Sequence, residues 1–254
     1  MHEFVEAFKF IGHNGAVPGQ EGLPTLSHLA LETLKVGAIG VAISIAIAVP
    51  LGVLLGHIHR GSFVAINVGN IGRALPSLAV LAIGDAFLGL GLTVVELALV
   101  ILAVPPIITN AYLGVDGVDR DLVDAARGMG MSEGEILRRV ELPLALPLIF
   151  AGIRTAAVFV ISTTTIASLA GFSGSLGDII ANETSYHFSG VLGAAICVAA
   201  LALAIEGVLA LVQRALTPQG LRAGRESNAK LSVVASANAS AQAYPYFYIY
   251  FSIK

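Results

Sequence analysis

The chain has 254 residues, of which 56 % are hydrophobic and 12 % charged, with a formal net charge of −3 and a mean hydropathy of +0.84. Soluble domains carry about a quarter charged residues, so this composition excludes a water-facing globule, and the lack of a basic field argues against nucleic acid as a partner. The single cysteine, Cys197, sits in an apolar run, which excludes a disulfide framework and a Cys-rich metal site. The N-terminus through Glu21 is polar, Gly-bearing and acidic with no signal-peptide pattern, and residues 1–28 read as an N-terminal extracytoplasmic segment.

A spanning helix needs roughly 20 mostly apolar residues, and helices are the open-ended way to satisfy backbone groups in lipid. Five stretches qualify: 36–56, 63–84, 90–113, 148–171 and 191–212. No barrel-type alternation is present, so the expected fold class is all-α, a polytopic membrane protein of about five transmembrane helices. Residues 29–218 form the expected transmembrane domain. In the first span, Gly52 and Gly56 make a small-xxx-small pair that would let helices approach closely. The Ala/Gly-rich composition produces such pairs by chance, and chance is the favoured reading.

The second span carries Asn67, Asn70 and Arg73 ahead of Pro76 and Ser77, and Pro76 should kink it. Pro105 and Pro106 should do the same in the third, beside Thr109 and Asn110. The fourth holds Ser162, Thr163, Thr164 and Thr165. Asn67, Asn70, Pro76, Ser77, Asn110, Thr163 and Thr164 are therefore candidates for a polar, bendable path. The alternative is that the hydroxyls bond their own helix carbonyls. Glu96 and Glu206 are single acids in the third and fifth spans, either protonated or bonded to a neighbouring helix; a proton-coupled role is disfavoured because no His or Lys lies in their spans, and Arg154 reads as a snorkelling residue. His57 and His59 lie close together at the mouth of the first span, too few for a metal site.

Lysine and arginine set the orientation. Arg60, the group Arg120, Arg127, Arg138 and Arg139, and the group Arg214, Arg222, Arg225 and Lys230 fall on one side. Segments 85–89 and 172–190 have neither residue type, and the N-terminal side has only Lys9 and Lys35. The N-terminus is expected outside, the loop 116–143 in the cytoplasm and the C-terminus inside.

That loop reads Asp124-Ala125-Ala126-Arg127-Gly128-Met129-Gly130 and ends Val140-Glu141-Leu142-Pro143. Its alanines favour a short helix over residues 121–127, with a low profile for a partner surface. Gly130 can end that helix in a left-handed conformation. Ser132 then caps a second helix with Glu133 and Glu135 in its first turn, and Pro143 stops it and starts the next span.

The pattern resembles the EAA motif of ABC importer permeases, with Asp124 in place of the usual Glu. The resemblance implies the type I permease fold and a knob that docks on a separate ATPase subunit through Asp124, Ala125, Ala126, Gly130, Leu142 and Pro143. Arg73-Ala74-Leu75-Pro76-Ser77-Leu78-Ala79, Gly152-Ile153-Arg154 and Leu176-Gly177-Asp178-Ile179-Ile180 look like the osmoprotectant branch, which transports glycine betaine, choline, carnitine or proline. The implied partners are an ABC ATPase, a second permease chain (same or paralogous), an extracytoplasmic solute-binding protein and the lipid bilayer of the cell membrane. No phosphate-cradling Gly-x-x-x-x-Gly-Lys loop occurs, so ATP and Mg are expected on the partner and no cofactor on this chain. A quaternary ammonium is best held by an aromatic cage. This aromatic-poor chain should leave tight capture to the binding protein.

The alternatives are an ABC permease for another small solute such as an amino acid, a stand-alone secondary transporter, and, last, a membrane enzyme. Residues 219–254 read as a disordered tail ending in the aromatic run 244–251, too short to span and foreign to the family.

Overall fold

A computed structural model describes residues 2–17, 22–59, 61–89 and 91–217. The chain divides into two units, Met1–Arg214 and Ala215–Lys254. The first holds the motif and the path candidates; the aromatic run 244–251 lies outside the described residues.

Among the described residues, four helical stretches are long and apolar enough to cross a membrane: α2 (Leu26–His57), α5 (Leu92–Asp116), the continuous stretch Glu133–Ala170 that contains α8 (Leu142–Ala167), and α10 (Glu183–Leu216). The expected second span is instead two helices, α3 (Ser62–Ala74) and α4 (Ser77–Leu88), bent by 88°. Pro76 is the cause. Its ring drives the preceding residue out of helical space, and Leu75 (ψ 120°) and Pro76 (ψ 121°) are both extended. The bent pair brings the number of spans to five if it crosses as one. Pro105 and Pro106, by contrast, do not interrupt α5. Both are buried, with Gly72 of α3 against the Pro105 ring and Gly152 of α8 against the Pro106 carbonyl. Tight packing on two sides holds the helical path that isolated prolines would break.

The core is built on α5. Leu99, Ala103, Ile107, Ala111 and Val115 recur every fourth residue and are fully buried. Facing them, α2 presents Gly40, Ser44, Ala48, Gly52 and Gly56, also every fourth residue and all buried. A Cβ on Gly52 would lie 2.7 Å from that of Ala111, and one on Gly56 2.8 Å from that of Val115. The Gly52–Gly56 pair is therefore a packing surface, not a chance product of composition. In lipid, close backbone approach carries helix association because apolar burial between helices gains little over contact with lipid tails.

The two ends of the bundle differ. At one end the short helix α1 (His2–Gly12) packs Phe10 against Tyr186, with ring centroids 6.2 Å apart, and beside Leu26 and Leu29 at the start of α2. The same end holds α9 (Gly177–Ala181), anchored where the Asp178 carboxylate accepts from Ser168 Oγ and the Gly174 N–H, both at 2.6 Å. α10 begins here and is broken at His187 (φ 58°). At the other end α2 finishes against a protrusion between α5 and α8, made of α6 (Arg120–Gly128), α7 (Glu133–Ile136) and a π-helical turn, Leu137–Glu141.

Candidate functional site

The protrusion is a helix–turn–helix knob with its own small core of Val118, Val123, Ala126 and Ile136. Asp119 caps α6 by accepting from the Asp121 N–H at 3.0 Å. The helix ends at Gly130 (φ 85°). The Gly130 N–H donates to Arg127 O and the Met131 N–H to Ala126 O, the paired bonds of a Schellman termination. Ser132 then starts α7, with Glu135 reaching back to accept from its N–H and its hydroxyl, each at 3.0 Å. The expected helix, glycine stop and serine cap are all present.

Two details differ from expectation. Pro143 does not stop the second helix, because helical backbone continues from Glu133 to Ala170. The helix widens into the π turn just ahead of Pro143, and Leu142 N–H donates to Leu137 O. Widening relieves the ring's clash with the carbonyl four residues back. The alanines also diverge. Ala126 is buried in the knob core, while Ala125, Asp124 and Gly130 are exposed, next to Met129 at 77 % exposure. Leu142 and Pro143 are half-buried at the root of the knob.

Arg127 staples the two knob helices. Its Nη1 donates to Asp124 Oδ1 at 2.9 Å, its Nε to Glu133 Oε1 at 2.8 Å and its Nη2 to Glu133 Oε2 at 3.1 Å. Aspartate at 124 thus reaches Arg127 although it is a methylene shorter than glutamate. The Glu133 carboxylate beside Arg127 holds its guanidinium above its ordinary value. Sequence reasoning missed the knob's other tie: His57, the last residue of α2, lies with Nδ1 2.6 Å from Oε2 of the buried Glu141. Eighty-four positions separate them, and no local pattern announces the pair.

The path candidates separate in space. Ser77 and Thr163 line one cavity of about 150 Å³ at the α3–α4 break, with Gly72, Leu75, Phe159 and Ser162. Pro76 makes the break. Thr164 is fully buried and donates to Val160 O, and Asn110 donates to Pro106 O beside Gly152. Asn67 donates to Phe63 O, and Asn70 faces outward on α3. These four do not line the cavity. Thr109, not among the candidates, donates to Ala65 O at 2.8 Å and ties α5 to α3.

Phe159 also borders an open cleft of about 400 Å³ with Arg154, Thr155 and Glu206. Arg154 Nη2 lies 2.6 Å from Glu206 Oε1 and joins α8 to α10. Arg154 is therefore half of an ion pair between two candidate spans, a partner that the snorkelling reading did not include, and Glu206 is bonded to a neighbouring helix. The signal was available: an isolated acid and an isolated base in two spans are costly apart. Glu96 has both carboxylate oxygens buried with no hydrogen-bond partner among the described residues, one of them near Gly40. No group of three or more His, Cys, Asp or Glu able to hold a metal occurs among the described residues.

Residues 48–218 match the family described as binding-protein-dependent transport system inner membrane component. The choline transport system permease protein OpuBB of Bacillus subtilis (strain 168) is 38 % identical over 227 residues, 89 % of this chain and 99 % of its own. The glycine betaine/carnitine/choline transport system permease protein OpuCB of the same organism is 41 % identical over 196 residues, covering 77 % of this chain and 90 % of its own. The fold is shared with a chain of the inward-facing MetNI methionine ABC transporter (TM-score 0.66, 22 % identity, 76 % of this chain and 96 % of that one). It is shared too with a chain of an amino acid ABC transporter crystallised with histidines (TM-score 0.61, 22 % identity, 83 % and 97 % covered). The expected ABC importer permease fold is borne out. With two-thirds of its length inside the family match and the motif-bearing knob in place between α5 and α8, this chain belongs to the family of binding-protein-dependent transport system inner membrane components.

Proposed function

We propose that this chain is the permease subunit of an ATP-driven importer for a small zwitterionic or quaternary-ammonium osmolyte such as glycine betaine, choline, carnitine or proline. The observation that carries the coupling half is the knob. It has its own core, a rigid glycine stop, and an outward face of Asp124, Ala125 and Met129 with no partner helix of this chain among the described residues. The substrate half is supported by the relatives, whose names specify choline, glycine betaine and carnitine.

In this reading the knob faces the cytoplasm and sits in a groove of a separate ATPase, which holds ATP and Mg. The N-terminus and α9 face outward, toward a solute-binding protein that delivers cargo. Two permease chains pair, because two ATPases close together and each needs a knob. The cavity at the α3–α4 break holds cargo weakly, as a path must. Asp124, Ala125, Ala126, Gly130, Leu142 and Pro143 shape the docking surface or its support, and Ser77 and Thr163 belong to the path.

The test is uptake of labelled glycine betaine, choline, carnitine, proline and methionine at high osmolarity by cells with and without this subunit. Loss of the osmolyte signals with methionine uptake intact is expected. Loss of methionine uptake alone would overturn the substrate half.

A further inference from the structure

Glu141 directly precedes the Leu142-Pro143 end of the knob motif, and it is only 1 % exposed. A carboxylate so deeply buried is costly unless it is hydrogen-bonded to a partner. The partner is His57, at 2.6 Å through Nδ1. The opposite ring nitrogen, Nε2, lies 3.9 Å from Glu133 Oε2. Glu133 holds Arg127, and Arg127 holds Asp124. Four side chains, Asp124, Arg127, Glu133 and His57, therefore lead from the exposed acid of the motif to the end of the first span, the last link being a 3.9 Å charge contact rather than a hydrogen bond, and Glu141 holds His57 from its other side.

Packing places His57 where it can do this. Gly56, lacking a Cβ, lets the end of α2 rest on Val115 and the Tyr112 carbonyl of α5. Two residues on, His59 Nδ1 lies 2.9 Å from Asp116 Oδ1 and pins the chain leaving α2 to the end of α5. The knob is joined to α5 and α8 by backbone, so motion reaches those helices directly. It has no backbone link to α2. The side-chain contact of His57 with Glu141 ties the two instead.

We propose that His57 is a positioning residue that couples the knob to α2, so that displacement of the knob moves the first span together with α5 and α8. This rests on the reading that the knob docks an ATPase. The small-residue seam along α2 then lets the displaced helix carry α5 as a rigid pair rather than slide over it.

Spatial continuity alone does not establish coupling, so the test measures it. The complete importer, with its ATPase and binding protein, is reconstituted in proteoliposomes, and labelled glycine betaine moved per ATP hydrolysed is recorded. His57→Ala is expected to keep assembly and ATP turnover while solute moved per ATP falls about tenfold, the scale of one lost charge-assisted buried hydrogen bond. His57→Gln, whose amide can donate to Glu141, should return the ratio to within about threefold of wild type, which a purely space-filling role would not require.

Arg127→Ala cuts the same chain at an exposed position and should also lower the ratio. The double variant should lose no more than the worse single one, because both cut one connection. A wild-type ratio in His57→Ala, or losses that multiply in the double variant, overturns the proposal. Should His57→Ala fail to assemble, a wild-type ratio in Arg127→Ala overturns it just as well. A wild-type complex whose uptake ignores ATP overturns the docking reading itself, and is recognised without any variant.

Discussion

Ala126 is buried in the knob core and its neighbour Ala125 faces outward, so the same substitution should have two different effects. Ala126→Leu should overpack the core and cost about 1–3 kcal/mol, read as a lower melting temperature of the detergent-solubilised chain. Ala125→Leu should leave melting unchanged and weaken copurification of the ATPase. A shared phenotype would contradict the assignment of faces. Gly130 is a third case: nothing lies within 4 Å of a Cβ added there, but φ is +85°. Gly130→Val is therefore expected to cost about 1–2 kcal/mol through the backbone alone, and Gly130→Asn less. Transport should collapse in the valine variant while the chain still inserts. The letters of the motif and the glycine's conformation were legible in the sequence. The division of labour between the alanines was not, because it depends on which side Val123 and Ile136 occupy.

At the scale of helices, the seam between α2 and α5 is the feature most open to a single change. Gly52→Leu and Gly56→Leu each force backbone apart where a Cβ already meets atoms at 2.7–2.8 Å. Each should destabilise by about 1–3 kcal/mol or more, whereas Gly207→Ala, which meets nothing within 4 Å, should be neutral in the same melting assay. Equal effects at all three positions would contradict the packing account. The pair at 52 and 56 was visible in the sequence, but its meaning lay in a longer stripe, Gly40-Ser44-Ala48-Gly52-Gly56, matched by an equal stripe on α5. Composition hides that match, since alanine and glycine are common on every face. Proline was read unevenly for a similar reason. Pro76 breaks its helix because Leu75 is free to extend, while Pro105 and Pro106 are clamped between α3 and α8.

For the whole molecule, the sequence indicated five spans, the knob and its place between the third and fourth. It did not indicate the tie of His57 with Glu141, which needs two helices already in register, and it signalled the tie of Arg154 with Glu206 only as an isolated base and an isolated acid in two spans. Topology can be measured directly. In a Cys197→Ala background, Ser173→Cys, exposed in the segment before α9, should label with an impermeant thiol reagent added outside, and Met129→Cys at the knob tip should not. Ser175 is unsuitable for this because it is fully buried. Labelling of the knob from outside would invert the proposed orientation.

The central claim is that the knob passes the work of a separate ATPase to this chain. The most direct measurement is uptake of labelled glycine betaine into proteoliposomes holding the assembled importer, with ATP inside or outside the vesicle and with or without an imposed ion gradient. Uptake is expected only when ATP is on the knob side, with none from a non-hydrolysable analogue and none from Ala125→Arg, whose new charge stands on the proposed docking face. Uptake that follows the ion gradient without ATP, or that survives Ala125→Arg undiminished, would contradict the claim.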